Sequence, residues 1–597
     1  MSTVGILRQI EILMVTGSLL ACGCALLLAV LASLSALPWL RERRNFLIGL
    51  GGLLPAGILA ALTLLMVDNF TYTVFKFGIV STAGVTRGLY AAGFIAVVVL
   101  WYRYILRKIA DLSQGQSSRR LQKRVACGLL AGMVIFSSLV LFDPDQVDLT
   151  AGAGSQKAQK LPNIIFITAD GLDATHLSAY GYKRETTPFI EQLLSTSLVA
   201  ENNFPNVGRT AGSIISTYTG KSATSTGVLT HQNVLRGVDA YQHLPGILHL
   251  QGYFTEQIAY PIFVDAYRQN MINAFDVANG QKASVSLYLK KINEYIPYDY
   301  AYFLYDTANR LADRLRHIFY QKIMINYFAQ LTQDEVSIDD RQKVKEILEG
   351  VSTSRQPVFI HAHLMATHGA HFSPISKVFS GYRKETDPHF LWDVDLYDDT
   401  ILDFDGQIKH IIDWLKERDL YDNTILIIGS DHGQQFYSTK RIPLIIHFPH
   451  GEYAGKIQVN TQNIDIAPTI LDYLGLNIPR YMQGQSLLRL GNVQRPILAY
   501  STEIESDVKL TMTPDVRALV RNYAPFRFAS LVHCQRWYRL DLITRQWTTG
   551  DVEGHTAPCA VDSLLTNEQA FNWIIEDLEA NAYKTDSLKN PPPDFTP

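Results

Sequence analysis

Long apolar runs dominate the chain from about residue 12 to residue 142, and beyond Asp143 short apolar runs alternate with polar segments. Crossing a bilayer takes about 20 apolar residues. Four early runs meet that length, at roughly 12–40, 46–67, 88–106 and 125–142. The loop after the first carries Arg41, Arg43 and Arg44; the loop after the third carries Arg107, Lys108, Arg119, Arg120, Lys123 and Arg124 against Asp111. Positive loops stay in the cytoplasm. Both therefore fall on one side, which predicts a four-helix transmembrane domain over 1–142, with the N-terminus and the globular part outside. A cleaved signal peptide is the rival reading of the first run. Its length, and a basic cluster that follows it with Arg8 alone ahead, fit a span better.

Residues 143–160 (DPDQVDLTAGAGSQKAQK) are small and polar and read as a linker. Strands and helices then alternate: NIIFIT (163–168), a helix near 188–197, a helix after Thr210, PVFIHAHL (357–364), a helix near 402–417, TILIIG (424–429) and IPLIIHF (442–448). Such alternation predicts an α/β sandwich with a mainly parallel sheet. From about 284 to 348 the chain reads instead as helices rich in Tyr and Phe. There Leu311, Leu315, Ile318 and Phe319 recur at helical spacing among Arg314, Arg316 and Lys322. A helix of that kind lies on a membrane surface or, as we prefer, packs on the sheet. The tail NPPPDFTP has the composition of a disordered segment.

Composition adds two constraints. A net charge of -3 over 597 residues offers no basic excess for a nucleic-acid backbone, so no nucleic-acid partner is expected. Cys22, Cys24 and Cys127 fall in the apolar part, while Cys534 and Cys559 fall in the exported part, where either a disulfide or two buried thiols fits.

The chemistry gathers at strand ends. TILIIGSDHG closes a buried-strand pattern with Asp431 and His432, and ligands collect beyond the carboxyl ends of parallel strands. Asp170 ends NIIFITAD in the same way, and His368 follows the HAHL strand. In NFPNVGRTAGSIISTYTGK a Gly-Arg-Thr turn runs into a helix, placing Thr210 at its start, where free N–H groups favour an anion. The ordinary alternatives are an Asp capping a turn and a Thr capping a helix.

Taken in order, these segments resemble the alkaline phosphatase and sulfatase superfamily, in the form of membrane-anchored sulfatase-like enzymes such as phosphoethanolamine transferases and lipoteichoic acid synthases. The likeness rests on Asp170 with HLSAYGY and TTPFI after it, on Thr210 about ten residues before Thr219-Gly220, on Asp431-His432-Gly433, and on RIPLIIHFP, IDIAPTILDYLGL and GQSLL. It covers roughly 161–488 and implies a sulfatase-like catalytic domain at 161–490 with a C-terminal extension at 491–597. It further implies metal ligands Asp170, Thr210, Asp431 and His432, with Thr210 as nucleophile and His368 touching substrate. One divalent metal is expected, zinc or manganese, with calcium possible. A sulfatase that makes formylglycine needs Cys/Ser-x-Pro-x-Arg, and here Thr210, Gly212 and Ile214 hold those positions. A Thr nucleophile points to phosphoryl transfer, from a phospholipid donor to an envelope glycan or lipid, by an enzyme of the inner membrane with its catalytic domain in the periplasm. Hydrolysis of phosphate or sulfate esters is the alternative, and an inactive membrane scaffold is the non-enzymatic one. The pattern His-Gly-Pro is replaced by His368-Gly369-Ala370.

Around this set, Arg236, Asp239 and His243 are expected to line a substrate pocket, and Lys440 and Arg441 to meet an anion or solvent. His363 is expected to hydrogen-bond inside its strand, His361 and His371 to be ordinary, and Asp405 to lie on a helix surface or behind a ligand.

Overall fold

The computed structural model describes residues 44–75, 84–113, 161–282, 315, 340–381, 392–502 and 526–588, except 232, 236, 262, 272, 370, 371, 373, 492 and 584. The expected spans at 12–40 and 125–142, the linker, Arg236, His371 and the tail lie outside these residues. The chain forms two compact units, one holding residues 147–287 and 334–597 and the other residues 2–146 and 288–333.

In the second unit, helices Arg44–Phe75 and Gly84–Ser113 cover the two middle apolar runs. They pack as a hairpin, with Gly52 against Tyr102 and Leu106 and, toward the other end, Leu64 against Tyr90 and Phe94. Glycines let the backbones approach closely there. Among the described residues one stretch, Gly88–Arg107, is long and apolar enough to cross a membrane. Leu315, expected on the sheet, packs instead against Leu64.

The larger unit is built on a nine-stranded sheet. Its spatial order is Gly455–Ile457, Leu198–Ala200, Leu444–His447, Thr424–Ser430, Asn163–Ala169, Val358–Leu364, Phe254–Ile258, Val277–Ala278 and Gln281–Lys282. The four strands from Thr424–Ser430 to Phe254–Ile258 are parallel. Leu444–His447 runs antiparallel to its neighbours. Fully buried strands with no polar face need helices on both sides. On one face Ile165, Ile167, Ile360 and Ile428 meet Val344 and Ile347 of helix Asp340–Thr353 and Ile401, Phe404 and Ile408 of helix Val394–Lys416. On the other lies helix Thr210–Thr219, whose ten residues are all buried and whose Tyr218 packs on His361.

A separate four-stranded antiparallel sheet, Ile497–Ser501, Phe528–His533, Arg536–Asp541 and Trp547–Asp551, carries helix Asn567–Ala580 on Ala570, Phe571, Ile574 and Leu578. Cys534 and Cys559 form a disulfide beside it.

Candidate functional site

Three adjacent parallel strands end together, so the residues that follow them meet at one edge of the sheet. Asp170 follows Asn163–Ala169, Asp431 and His432 follow Thr424–Ser430, and Met365 to His368 follow Val358–Leu364. Asp170 is anchored by its own backbone, its N–H donating to Leu364 O at 2.9 Å and its carbonyl accepting from Thr367 Oγ1 at 2.7 Å.

Thr210 enters from the helix packed on the other face. The N-cap there is Arg209, which makes no side-chain cap, so Thr210 is the first helical residue and not the cap. Its hydroxyl donates to Asp170 Oδ2 at 3.1 Å and lies 3.4 Å from His432 Nε2. The approach is fixed by Gly208, where an added Cβ would stand 2.5 Å from the Phe436 carbonyl. Arg209 lies over the Phe436 ring at 4.1 Å, closing the same contact.

Asp431 and His432 are oriented by backbone groups. Asp431 Oδ1 accepts from Gly171 N at 3.1 Å and from His432 N at 2.9 Å. His432 Nδ1 faces Gly433 O at 3.0 Å. A carbonyl only accepts, so Nδ1 carries the proton and Nε2 presents its lone pair. That lone pair stands 3.3 Å from Asp431 Oδ2, which is buried with no hydrogen-bond donor among the described residues. Two acceptors facing each other in a dry site repel unless a cation lies between them. A tetrahedral shell with bonds of about 2.0–2.1 Å sets its ligand atoms roughly 3.3 Å apart. The separations among Asp170, Thr210, Asp431 and His432 given above, with 3.8 Å from His432 Nε2 to Asp170 Oδ1, fit such an ion. Oxygen and imidazole donors suit a divalent metal.

Burial alone would raise the Asp170 carboxyl, but its histidine neighbours, His368 first and then the His363 hydrogen bond, outweigh it and hold the pKa below its ordinary value. The His368 ring is half-buried beside Phe263 and Phe436, at 5.5 and 6.3 Å between centroids.

His363 is where the sequence reading falls short. Its Nδ1 does bond within the sheet, to Thr168 Oγ1 at 2.8 Å, but its Nε2 lies 3.2 Å from Asp170 Oδ2 and 3.9 Å from Asp431 Oδ2. Asp170, His363 and Asp431 thus also offer three ligand atoms within 4.8 Å of one another. The signal was the His-Ala-His spacing, which puts His361 and His363 on one face of the strand.

The other residues singled out from the sequence have partners of their own. Asp239 pairs with Lys221, and His243 caps helix Leu244–Leu250 by accepting from Gly246 N at 3.0 Å. Lys440 Nζ lies 3.1 Å from buried Asp173 Oδ2, and Arg441 donates to the carbonyls of Glu201 and Glu553 at 2.8 and 3.2 Å. Asp405 is buried rather than on a surface. It accepts from Phe189 N and Ile190 N at 3.0 and 2.8 Å, capping helix Pro188–Leu193 from outside that helix.

The sulfatase family model matches residues 162–476, and the chain belongs to the sulfatase family within the alkaline phosphatase/sulfatase superfamily. Similar proteins include the N-acetylglucosamine-6-O-sulfatase of Bacteroides thetaiotaomicron, 33% identical over 101 residues, which make up 15% of this chain and 18% of that protein. A multifunctional alkaline phosphatase superfamily protein of Trinickia caryophylli is 34% identical over 102 residues, 15% of this chain and 20% of that one. The chain spans about a fifth of the length of each. Among solved structures, a phosphonate monoester hydrolase of Silicibacter pomeroyi aligns with a TM-score of 0.49 and 15% identity, covering 72% of this chain and 97% of that one.

Proposed function

We propose that this chain is a metal-dependent esterase of the sulfatase family that cleaves a phosphate ester through Thr210 and passes the group to water. The observation that carries the reading is the Thr210 hydroxyl, at a helix start, 3.1 Å from Asp170 Oδ2 and 3.4 Å from His432 Nε2. Family membership and the sulfatase-like relatives support ester hydrolysis, and the threonine supports phosphorus over sulfur.

Asp170, Thr210, Asp431 and His432 are the residues that would hold the metal. When bound, it would lower the pKa of the hydroxyl and neutralise charge on the ester oxygens. Thr210 Oγ1, its proton released to solvent, attacks phosphorus, and the new O–P bond forms as the P–O bond to the leaving alcohol breaks. His368 supplies the proton that the leaving oxygen takes up. Water then attacks the phospho-threonine and gives its proton to the now neutral His368, and the Oγ1–P bond breaks to restore Thr210 Oγ1. The free N–H groups of the first helical turn favour the anionic group next to Thr210.

A second reading hands the group to an alcohol instead, as a transferase moving a phospholipid head group to an envelope glycan or lipid. The apolar Gly88–Arg107 helix favours it, since a membrane anchor keeps the site near such substrates. The four-span topology, with domains at 1–142, 161–490 and 491–597, belongs to the same proposal, and the Cys534–Cys559 disulfide fits an extracytoplasmic compartment. A reporter fused after Asp143 should be active outside the cytoplasm, and cytoplasmic activity would overturn the topology.

The deciding experiment is peptide mass spectrometry on enzyme trapped with an aryl phosphodiester. A phospho-adduct on Thr210, absent from Thr210→Ala, supports the mechanism, and an adduct elsewhere refutes it. Faster cleavage of an aryl sulfate than of the phosphodiester would make the enzyme a sulfatase.

A further inference from the structure

Two histidines face the carboxylates of the site, and their proton positions differ. The difference is set by a buried chain that starts at a backbone N–H. Ala266 N donates to Gln257 Oε1 at 2.9 Å, which identifies that atom as oxygen and leaves the Gln257 amide nitrogen facing Tyr218 Oη at 3.3 Å. An amide nitrogen only donates, so the Tyr218 oxygen accepts there and its own proton goes to its other partner, His361 Nδ1. A ring nitrogen that accepts puts the proton on the opposite nitrogen. His361 Nε2 therefore donates to Thr168 Oγ1 at 3.0 Å. The one proton of Thr168 is then directed to His363 Nδ1 at 2.8 Å. His363 Nδ1 accepts, so its Nε2 bears hydrogen and donates to Asp170 Oδ2 at 3.2 Å. Reversing the order would leave the buried Tyr218 proton without an acceptor, which burial makes unfavourable.

Building on the metal-site reading above, we infer that His363 is a positioning residue that donates to Asp170 and does not ligate the metal. The chain Gln257–Tyr218–His361–Thr168 holds it in that tautomer. His432 is set the opposite way by the Gly433 carbonyl, and its Nε2 lone pair faces Asp431 Oδ2 and Thr210. One imidazole is thus built to donate and the other to coordinate, although both lie within reach of the carboxylates. With the Thr168 hydroxyl removed, His363 is free to turn a lone pair on the Asp170 carboxylate, and the carboxylate loses its fixed orientation.

The test measures metal affinity in the purified full-length protein, by chelator competition with zinc and with manganese. His432→Gln should lose stoichiometric metal. His363→Gln should still bind one equivalent, with affinity lowered by about 10- to 100-fold, the usual effect of losing a group that orients a ligand. Thr168→Val and Tyr218→Phe should each lower affinity by about 10-fold while unfolding cooperatively, and Thr168→Ser should restore most of it. If His363→Gln strips the metal as fully as His432→Gln, or Thr168→Val binds like wild type, the inference is overturned and the metal centre stands. Full affinity in His432→Gln would instead sink the metal-centre reading itself. Should His363→Gln fail to fold, the near-isosteric Thr168→Val and its Ser counterpart decide the matter.

Discussion

Asp431→Asn should make the metal-free protein more stable and the metal-bound protein less stable. Without a cation, the Asp170 and Asp431 carboxylates share a dry site with ligand atoms within 4.8 Å. Two unit charges at that separation repel by roughly 3.5 kcal/mol at an effective dielectric of about 20. The substitution removes one charge and places an amide where Asp431 Oδ2 now stands, 3.3 Å from the unprotonated His432 Nε2, so a repulsive contact becomes a hydrogen bond. The bonds that Oδ1 accepts from Gly171 N and His432 N survive, because the amide oxygen can take them. Unfolding entropy near 2.1 cal/mol/K per residue converts 3.5 kcal/mol into roughly 4 °C for a unit of this size. Melting followed by intrinsic fluorescence should show the variant above wild type by about that much in excess chelator. In saturating metal the order should invert, since a ligand at 1,000 times its Kd adds about 4 kcal/mol to the native state that binds it. A variant that melts below wild type in chelator would refute the reasoning, as would a wild-type protein indifferent to chelator.

Asp405→Ala should cost about 1–2 kcal/mol in denaturant unfolding by uncapping helix Pro188–Leu193, with metal affinity unchanged. Glu256 is raised to about 7 by burial and then by Glu346 and Glu349, so the folded state holds its proton more tightly than the unfolded chain. Its contribution is full below pH about 4.5 and falls away as pH rises through about 7. Glu256→Gln should therefore flatten the loss of stability over that window in melts run from pH 4 to 9. Cys534→Ser should destabilise the C-terminal sheet by about 3 kcal/mol, since the disulfide closes a separation of 25 residues. Limited proteolysis should then cut that sheet first.

Asp170, Asp431 and His432 could be placed together from sequence because each follows a short apolar run that reads as a buried strand, and parallel strands end on the same side. Orientation is a different matter. Leu444–His447 shows the same apolar run as its parallel neighbours yet lies antiparallel, and nothing in a fully buried strand marks its direction. Phe254–Ile258 escaped notice because Glu256 and Gln257 interrupt its pattern, although Gln257 is buried and bonded. The C-terminal sheet depends on antiparallel partners whose register no single segment carries. Side-chain destinations were least legible of all. Lys440 and Asp405 find partners far away in the chain, and the second face of His363 appears only once the Asn163–Ala169 strand is laid beside its own.

The placement of the site on three adjacent strands also says when in the life of the protein the metal can act. Its groups come from residues 170, 210, 431 and 432, and Asp170 and Asp431 are neighbours only because two strands some 260 positions apart in sequence pair in register. A chain still assembling its sheet therefore has no such cluster to offer an ion. Pairings of this range form slowly. On the metal site proposed above, an ion would therefore be a latch rather than a template: it should leave the refolding rate unchanged and slow unfolding by the whole of its stabilisation. Loading would then follow folding, in whichever compartment the finished domain resides, and the metal available there, more than the metal present at synthesis, would decide what the proposed site takes up.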